Sequence, residues 1–161
     1  MLLREVFRVV WRILHESGTA WVSVPDVAGE SSLEGVPWRL ALAMQSDGWT
    51  LRNVLIWNGE CSLGKYDMVL FLTKNPAYYF SSESVTRYGD IWESAAATGL
   101  VEMWMQCIEV GCPEQGVVLD PFAGNGVTET AARLTGRRFV GLSGGDMRTT
   151  GPCDIDASEA A

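Results

Sequence analysis

Histidine is almost absent from this chain, and its cysteines are not clustered. His15 is the only histidine among 161 residues, and the four cysteines form no CxxC pair. The cysteines are Cys61, Cys107, Cys112 and Cys153. A zinc site built from closely spaced Cys and His ligands is therefore not expected. A Ser-His-Asp or Cys-His centre would need His15, which lies in an amphipathic helical pattern and is more simply interpreted as an ordinary helix-end histidine.

Positive charge is also scarce. Lys and Arg number 12 against 20 Asp and Glu, which gives a formal net charge of −8. Phosphate contacts need clustered Lys and Arg, so this balance argues against a free-standing nucleic-acid-binding protein. Arg4, Arg8 and Arg12 recur every four residues and could touch phosphates, but a solvated helix face is the favoured interpretation.

Long hydrophobic runs are missing. No apolar stretch in the sequence approaches the roughly 20 residues that span a bilayer, which excludes a transmembrane helix. Residues 1–14 are apolar at helical spacing but include three arginines and Glu5, whereas a signal peptide needs an uninterrupted apolar stretch. We therefore expect a cytoplasmic protein whose cysteines stay reduced, with no membrane association.

What the chain does have is the composition of a globular domain, with 47% hydrophobic and 20% charged residues. Hydrophobic spacing predicts helices over 2–15, 38–45, 94–110 and 127–134, and strands over 19–24, 53–57, 68–73, 117–120 and 138–142. Residues 75–93 mix aromatic and polar side chains without a period and are predicted to be irregular. Strands that alternate with helices favour an α/β sandwich with a largely parallel sheet.

The segment from Val117 to Thr128 carries the clearest chemical signal. An apolar strand ends in Asp120, turns through Gly124 and Gly126, and opens a helix. Glycines let the backbone approach a ligand closely, and a helix N-terminus presents free N–H groups. Open α/β sheets bind ligands at the carboxyl ends of their strands. The pattern predicts a ligand site, although it is neither a P-loop nor a full GxGxxG fingerprint.

The same segment resembles a known family. LDPFAGNGVT at residues 119–128 is similar to the DPF-G-G-TT cofactor motif of amino-methylating DNA methyltransferases. Further blocks of the chain are similar to other parts of that family in the same order. These blocks lie at residues 3–14, 17–19, 35–49, 56–58, 66–76 and 90–93. The order, with the cofactor motif last, resembles the permuted group that methylates adenine N6 or cytosine N4.

The resemblance implies a three-layer α/β, Rossmann-like methyltransferase fold over residues 1–143. The acidic tail over 144–161 lacks periodicity and is expected to be disordered. The resemblance also implies S-adenosylmethionine as cofactor, duplex DNA as partner, and a target base flipped out of the helix. No metal is implied. The cofactor-binding residues carried over from the motif are Asp120 and Phe122 at the methionine end, Gly124, Asn125 and Gly126 as close backbone, and Thr128 near the carboxylate.

The chain departs from the family pattern in several places. The family's catalytic D/N/S-P-P-Y/F tetrapeptide is expected before residue 1, and it occurs nowhere in the sequence, so no catalytic residue is assigned. Tyr66-Asp67 stands where the family usually has His-Glu, and the His-x-A-x-F-P stretch is missing. Ser143 stands where an acid usually binds the cofactor ribose, with Asp146 a few residues on.

These departures leave three functions open. The chain is interpreted as a partial methyltransferase that is inactive alone. The alternative is a non-catalytic cofactor-binding or protein-interaction subunit whose partner supplies the missing motif, and a third is shared ancestry without binding. The sheet is expected to lack a central strand. Either 117–120 pairs directly with 19–24, or a gap remains between them. We therefore expect a closed-up sheet, a marginally stable monomer, or an exposed edge that favours a partner chain or a homo-oligomer.

Overall fold

The computed structural model describes residues 2–26, 32–59, 66–85, 89–94 and 98–142. These residues belong to two compact units. The first unit draws on Met1–Asn58, Ser62–Tyr79 and Gly89–Glu93. The second draws on Gly59–Cys61, Phe80–Tyr88 and Ser94–Ala161.

Helices and strands alternate along most of the described chain. In order they are α1 (Leu2–Ile13), β1 (Thr19–Pro25), α2 (Val36–Ser46), β2 (Thr50–Gly59), β3 (Asp67–Thr73), β4 (Ile91–Ser94), α3 (Gly99–Gly111), β5 (Val117–Asp120), α4 (Val127–Leu134) and β6 (Arg138–Gly141). The predicted bounds of β5 and α4 agree with the structure, and the other predicted bounds shift by a few residues.

The first unit is built on a four-stranded sheet of order β1-β3-β2-β4. β1 and β2 each pair with β3 in antiparallel fashion. All seven residues of β3 are buried, so this strand fills the centre of the unit from both faces. The prediction of a largely parallel sheet is wrong for this unit.

The antiparallel pairing follows from the chain connections. The seven residues 60–66 join β2 to β3, and this link is too short for the crossover that parallel neighbours need. β1 and β2 therefore run parallel to each other on either side of β3, with α2 in the connection between them. The sequence interpretation marks a turn region between these two strands at Asn58-Gly59 and Gly64, but its expectation of a largely parallel sheet rests on helix–strand alternation and is wrong for this pair.

The arginines of α1 are engaged within the first unit. Arg4 donates to both carboxylate oxygens of Asp47 at 2.6 and 2.7 Å, and Arg8 donates to the same two oxygens at 3.2 and 3.0 Å. Hydrogen bonds from Arg4 and then Arg8 hold the pKa of Asp47 well below its ordinary value. Arg8 also pairs with Glu5, while Arg12 is exposed. Arg4 and Arg8 thus tie α1 to the end of α2.

The tryptophans of the first unit mostly serve as packing groups. Trp49, Trp57 and Trp92 are buried, whereas Trp38 is exposed. Trp49 also meets Trp11 edge-on, with ring centroids 4.9 Å apart. Three of these four rings therefore belong to the interior of the first unit.

The second unit contains the parallel strands. β5 pairs with β6 in parallel register, and Asp120 is the Cα partner of Gly141. A cluster of buried apolar side chains from α3 and α4 packs against Val118 and Phe139, which lie on one face of this two-stranded sheet. Its buried members are Val101, Ile108, Val127, Ala131 and Ala132. The face that carries Val118 and Phe139 is therefore the covered face.

The Arg137 side chain connects the carboxyl ends of α3 and α4 in this unit. The Arg137 guanidinium donates to the carbonyl oxygen of Cys112, after α3, from Nε at 3.2 Å and Nη2 at 2.8 Å. Its Nη1 donates to the carbonyl of Thr135, after α4. Carbonyls at helix ends lack intrahelical donors, so Arg137 satisfies groups from both helices.

Two expectations for the middle of the chain need correction. Residues 75–93 were expected to be irregular, but β4 begins within them at Ile91. It is an edge strand of four residues, too short to show a period, with acidic Glu93 inside it. The third helix was expected to begin at residue 94, but it begins at Gly99 after Thr98, because Ser94 still belongs to β4.

The sheets of the two units are separate. Within the described ranges, no ladder joins β1 to β5, so 117–120 does not pair directly with 19–24. Among the residues that the structure describes, β1 is the outer strand of its sheet and β5 pairs with β6 on one side only. The expected alternative of a directly closed sheet is therefore not realised between these strands.

Candidate cofactor-binding site

Asp120 organises the turn that follows β5. The Phe122 N–H donates to Asp120 Oδ1 at 2.8 Å, which is a side-chain-to-backbone bond two residues on. The Leu142 N–H donates to the Asp120 carbonyl at 3.0 Å. The half-buried Asp120 thus fixes the start of the turn with its carboxylate and the end of β6 with its backbone.

The two glycines of the turn adopt left-handed backbone conformations. Gly124 has φ +47° and Gly126 has φ +84°. Gly126 caps α4, and its N–H donates to the Ala123 carbonyl at 2.8 Å. A Cβ on Gly126 would lie 4.0 Å from Glu129 Oε2 and would not clash with the described protein atoms. The glycine is therefore required by its φ angle, and the space above it is open to a ligand.

An open recess of about 500 Å³ lies beside this turn. It is lined by Ala123, Gly124, Asn125, Gly126, Glu129, Phe139 and Gly141. The recess lies at the carboxyl ends of β5 and β6, where parallel strands present ligand sites. Its volume falls within the range of pockets that hold small molecules and cofactors.

Gly141 allows the walls of the recess to come together. A Cβ there would lie 2.7 Å from the Phe139 ring and 2.8 Å from the Ala123 Cβ. Sequence reasoning did not select Ala123, Glu129, Phe139 or Gly141. The β5–β6 register brings Phe139 and Gly141 to the turn, and the direction of α4 brings Glu129 there. The available signal was the parallel pairing itself, which places the end of 138–142 beside Asp120.

The residues selected from the motif fall into two groups. Gly124, Asn125 and Gly126 line the recess, whereas Asp120, Phe122 and Thr128 flank it in the turn and in the first turn of α4. Their role in cofactor binding stays a prediction. Ser143, Asp146 and the acidic tail over 144–161 lie outside the described residues.

Other candidate chemistry is weak in the described chain. Burial raises the pKa of the Cys107 thiol well above its ordinary value, and burial likewise raises that of Cys112 against the effect of Arg137. Exposed His15 makes a 2.9 Å contact from Nδ1 to the Ser17 hydroxyl. Among the described residues no group of three or more His, Cys, Asp and Glu could hold a metal ion. No helix in the described ranges is long and apolar enough to cross a membrane.

Comparison with known proteins agrees with this geometry. The family model for N6/N4 DNA methylases matches residues 1–144. The Type II methyltransferase M.Cfr9I of Citrobacter freundii is 25% identical over 195 aligned positions, which cover 87% of this chain and 65% of that protein. M.SmaI of Serratia marcescens is 27% identical, with coverage of 87% and 68%. The chain thus spans about two thirds of the length of these relatives.

A solved structure shows the same fold. The DNA modification methylase TTHA0409 of Thermus thermophilus, crystallised with S-adenosyl-L-methionine, matches with a TM-score of 0.74 and 24% identity, covering 88% of this chain and 69% of that one. This likeness confirms the predicted α/β methyltransferase fold. Together with the family match over residues 1–144, it leads to one conclusion: the chain belongs to the N6/N4 DNA methylase family.

Proposed function

We propose that this chain binds S-adenosylmethionine as part of a DNA methyltransferase that modifies an exocyclic amine, adenine N6 or cytosine N4. The observation that carries the proposal is the turn from β5 to α4. There an acid ends a parallel strand, Gly124 and Gly126 are left-handed, and a recess opens beside the N-terminus of α4. The family match and the cofactor bound to TTHA0409 support it.

The residues of the turn fit such a ligand. The open space above Gly126 allows a close backbone approach, and Gly126 is also the N-cap of α4, whose first N–H groups lack intrahelical acceptors. We assign Asp120 and Phe122 to the methionine end, Gly124, Asn125 and Gly126 to backbone contacts, and Thr128 to the carboxylate. When bound, the cofactor supplies the methyl group, and the protein orients it.

The test compares two glycines that share one backbone requirement. Gly126 and Gly136 have φ +84° and +71°, and the described atoms leave space at both, but only Gly126 lines the recess. Leu at either position costs about 1–2 kcal/mol of folding free energy through backbone strain. We expect Gly126→Leu to abolish binding of S-adenosylmethionine in calorimetry, while Gly136→Leu binds like the wild type. Equal affinity of the two variants would place the cofactor elsewhere.

We further propose that the chain alone does not methylate DNA. The sequence contains no D/N/S-P-P-Y/F tetrapeptide to hold the target amine in line with the methyl donor, and its net charge of −8 weakens binding to duplex DNA. We expect the purified chain to transfer no labelled methyl group to duplex DNA above the background of Gly126→Leu. Incorporation clearly above that background would contradict this proposal.

The missing tetrapeptide and the outer edge of β1 also favour a second function, that of a cofactor-binding subunit in the cytoplasm. Among the described residues β1 pairs on one side only, so its other edge can accept a strand. A second chain that brings a strand ending in the tetrapeptide would then complete an enzyme acting on duplex DNA. Methyl transfer that appears only on mixing with such a chain supports this function, and no transfer from the mixture contradicts it.

A further inference from the structure

We propose that Glu129 makes the recess selective for a positively charged ligand, so that it favours the sulfonium form of the cofactor over the neutral thioether left after methyl transfer. This inference rests on the proposed binding of S-adenosylmethionine. Among the described residues that line the recess, Glu129 alone carries an ionisable side chain. The other described lining residues are alanine, asparagine, phenylalanine and glycine, none of which carries a formal charge.

The two oxygens of Glu129 have different surroundings. Oε1 accepts a 2.6 Å hydrogen bond from Arg133 Nη2, one turn further along α4, and the two side chains form an ion pair. Oε2 faces the glycine turn, 4.0 Å from where a Cβ on Gly126 would lie. A ligand that approaches the open backbone of Gly126 therefore meets a carboxylate oxygen that Arg133 does not occupy.

Arg133 competes for the same carboxylate. Its side chain is 76% exposed and that of Glu129 is 41% exposed, so their pair lies in solvent and contributes little to folding. A cationic ligand can share the Glu129 carboxylate with Arg133, or displace Arg133 from it, at a small cost in free energy. Removal of Arg133 should then strengthen binding of a cation, and removal of the Glu129 charge should weaken it. If the ion pair only supported the local structure, removal of either partner would change the affinity for a cation in the same direction.

Methyl transfer changes the ligand charge by one unit. The S–CH₃ bond breaks and its electron pair stays on sulfur, while the target amine forms the N–CH₃ bond and releases a proton to water. The sulfonium becomes a neutral thioether, whereas the ammonium and carboxylate of the amino-acid end are unchanged. Attraction to Glu129 is thereby reduced after the transfer, which favours release of the product.

The experiment is calorimetry of the full chain with S-adenosylmethionine and with S-adenosylhomocysteine. Compared with the wild type, we expect Glu129→Gln to weaken binding of the sulfonium ligand about 5- to 10-fold and of the thioether less than about 2-fold. Arg133→Gln should strengthen sulfonium binding about 2-fold. Glu102→Gln is the matched control, because Glu102 lies in the first turn of α3, outside the recess.

The outcomes separate this inference from the proposed function. Equal weakening of both ligands by Glu129→Gln, or no weakening of either, overturns the charge selectivity while cofactor binding stands. A wild type that binds neither ligand overturns the proposed function and this inference with it. Thermal melting of each variant shows that the fold is intact, and raised salt should reduce the preference of the wild type for the sulfonium.

Discussion

The two sheets of this protein bury their side chains to different extents. In the first unit every residue of β3 is buried, and Val69, Leu70 and Leu72 are fully enclosed. In the second unit Val117 and Val140 are 48% and 49% exposed, although both belong to strands. A strand with a neighbour on each side and cover on both faces leaves no surface to solvent. A two-stranded sheet with helices packed on one face leaves its other face exposed.

The exposure in the second unit follows from the alternation of side chains along a strand. Val118 and Phe139 point to the covered face under α3 and α4, so Val117 and Val140 point to the other face. A two-stranded sheet is marginal without packing. The second unit therefore depends on the side chains of its covered face for stability. The first unit is instead stabilised around its buried central strand, β3.

The largest expected effect is at the centre of β3. Leu70→Ala removes a fully buried side chain and should lower the free energy of unfolding by about 2–5 kcal/mol. Val140→Ala, its counterpart on the open face, should cost less than about 1 kcal/mol. Urea unfolding followed by tryptophan fluorescence measures both variants. Similar losses would show that the face with Val140 is also buried in solution.

An intermediate effect is expected at Gly141, on the covered face. An added Cβ would lie 2.7 Å from the Phe139 ring and 2.8 Å from the Ala123 Cβ, so Gly141→Ala should cost about 1–3 kcal/mol by overpacking. Phe139→Leu in the same chain should recover part of this loss. An unchanged midpoint in urea for Gly141→Ala would mean that β6 can move away from the turn, and the covered face would then be no more rigid than the open one.

The smallest effect is expected at the helices of the first unit. Asp47→Asn removes the negative charge and one of the two oxygens that accept from Arg4 and Arg8, and it should lower stability at neutral pH. Because the folded pKa of Asp47 lies below its ordinary value of 3.8, this stabilisation is present above that pH and is lost as the pH falls below it. The difference between wild type and variant in thermal melting should therefore shrink in acid. A difference independent of pH would mean that these ion pairs do not hold α1 to α2.

The sequence predicted local elements better than their assembly. β5 and α4 were correctly bounded because an apolar strand, a glycine turn and an amphipathic helix are signals within a few residues of one another. The insertion of β3 between β1 and β2 was missed, because pairing Thr19 with Thr73 depends on contacts distant in sequence. β4 was missed because four residues at a sheet edge show no period.

The candidate site divides in the same way. Gly124, Asn125 and Gly126 were selected from one contiguous motif, and they line the recess. Phe139 and Gly141 come from β6, and only the parallel register with β5 brings them there. Glu129 lies within four residues of the glycine turn, but its position on the recess depends on the direction in which α4 leaves Gly126. Sequence spacing alone does not give that direction.

The place of β3 in the sheet has a consequence for synthesis. Thr19 leaves the ribosome 54 residues before its Cα partner Thr73, and β2 is also made before the strand that lies between it and β1. At about 10 residues per second, β1 waits about five seconds for its neighbour. During that interval β3, the strand that pairs with both β1 and β2, has not yet been made. β1 and β2 can thus join one sheet only after β3 has been made. Chaperones that bind extended apolar segments have time to act on β1 before then.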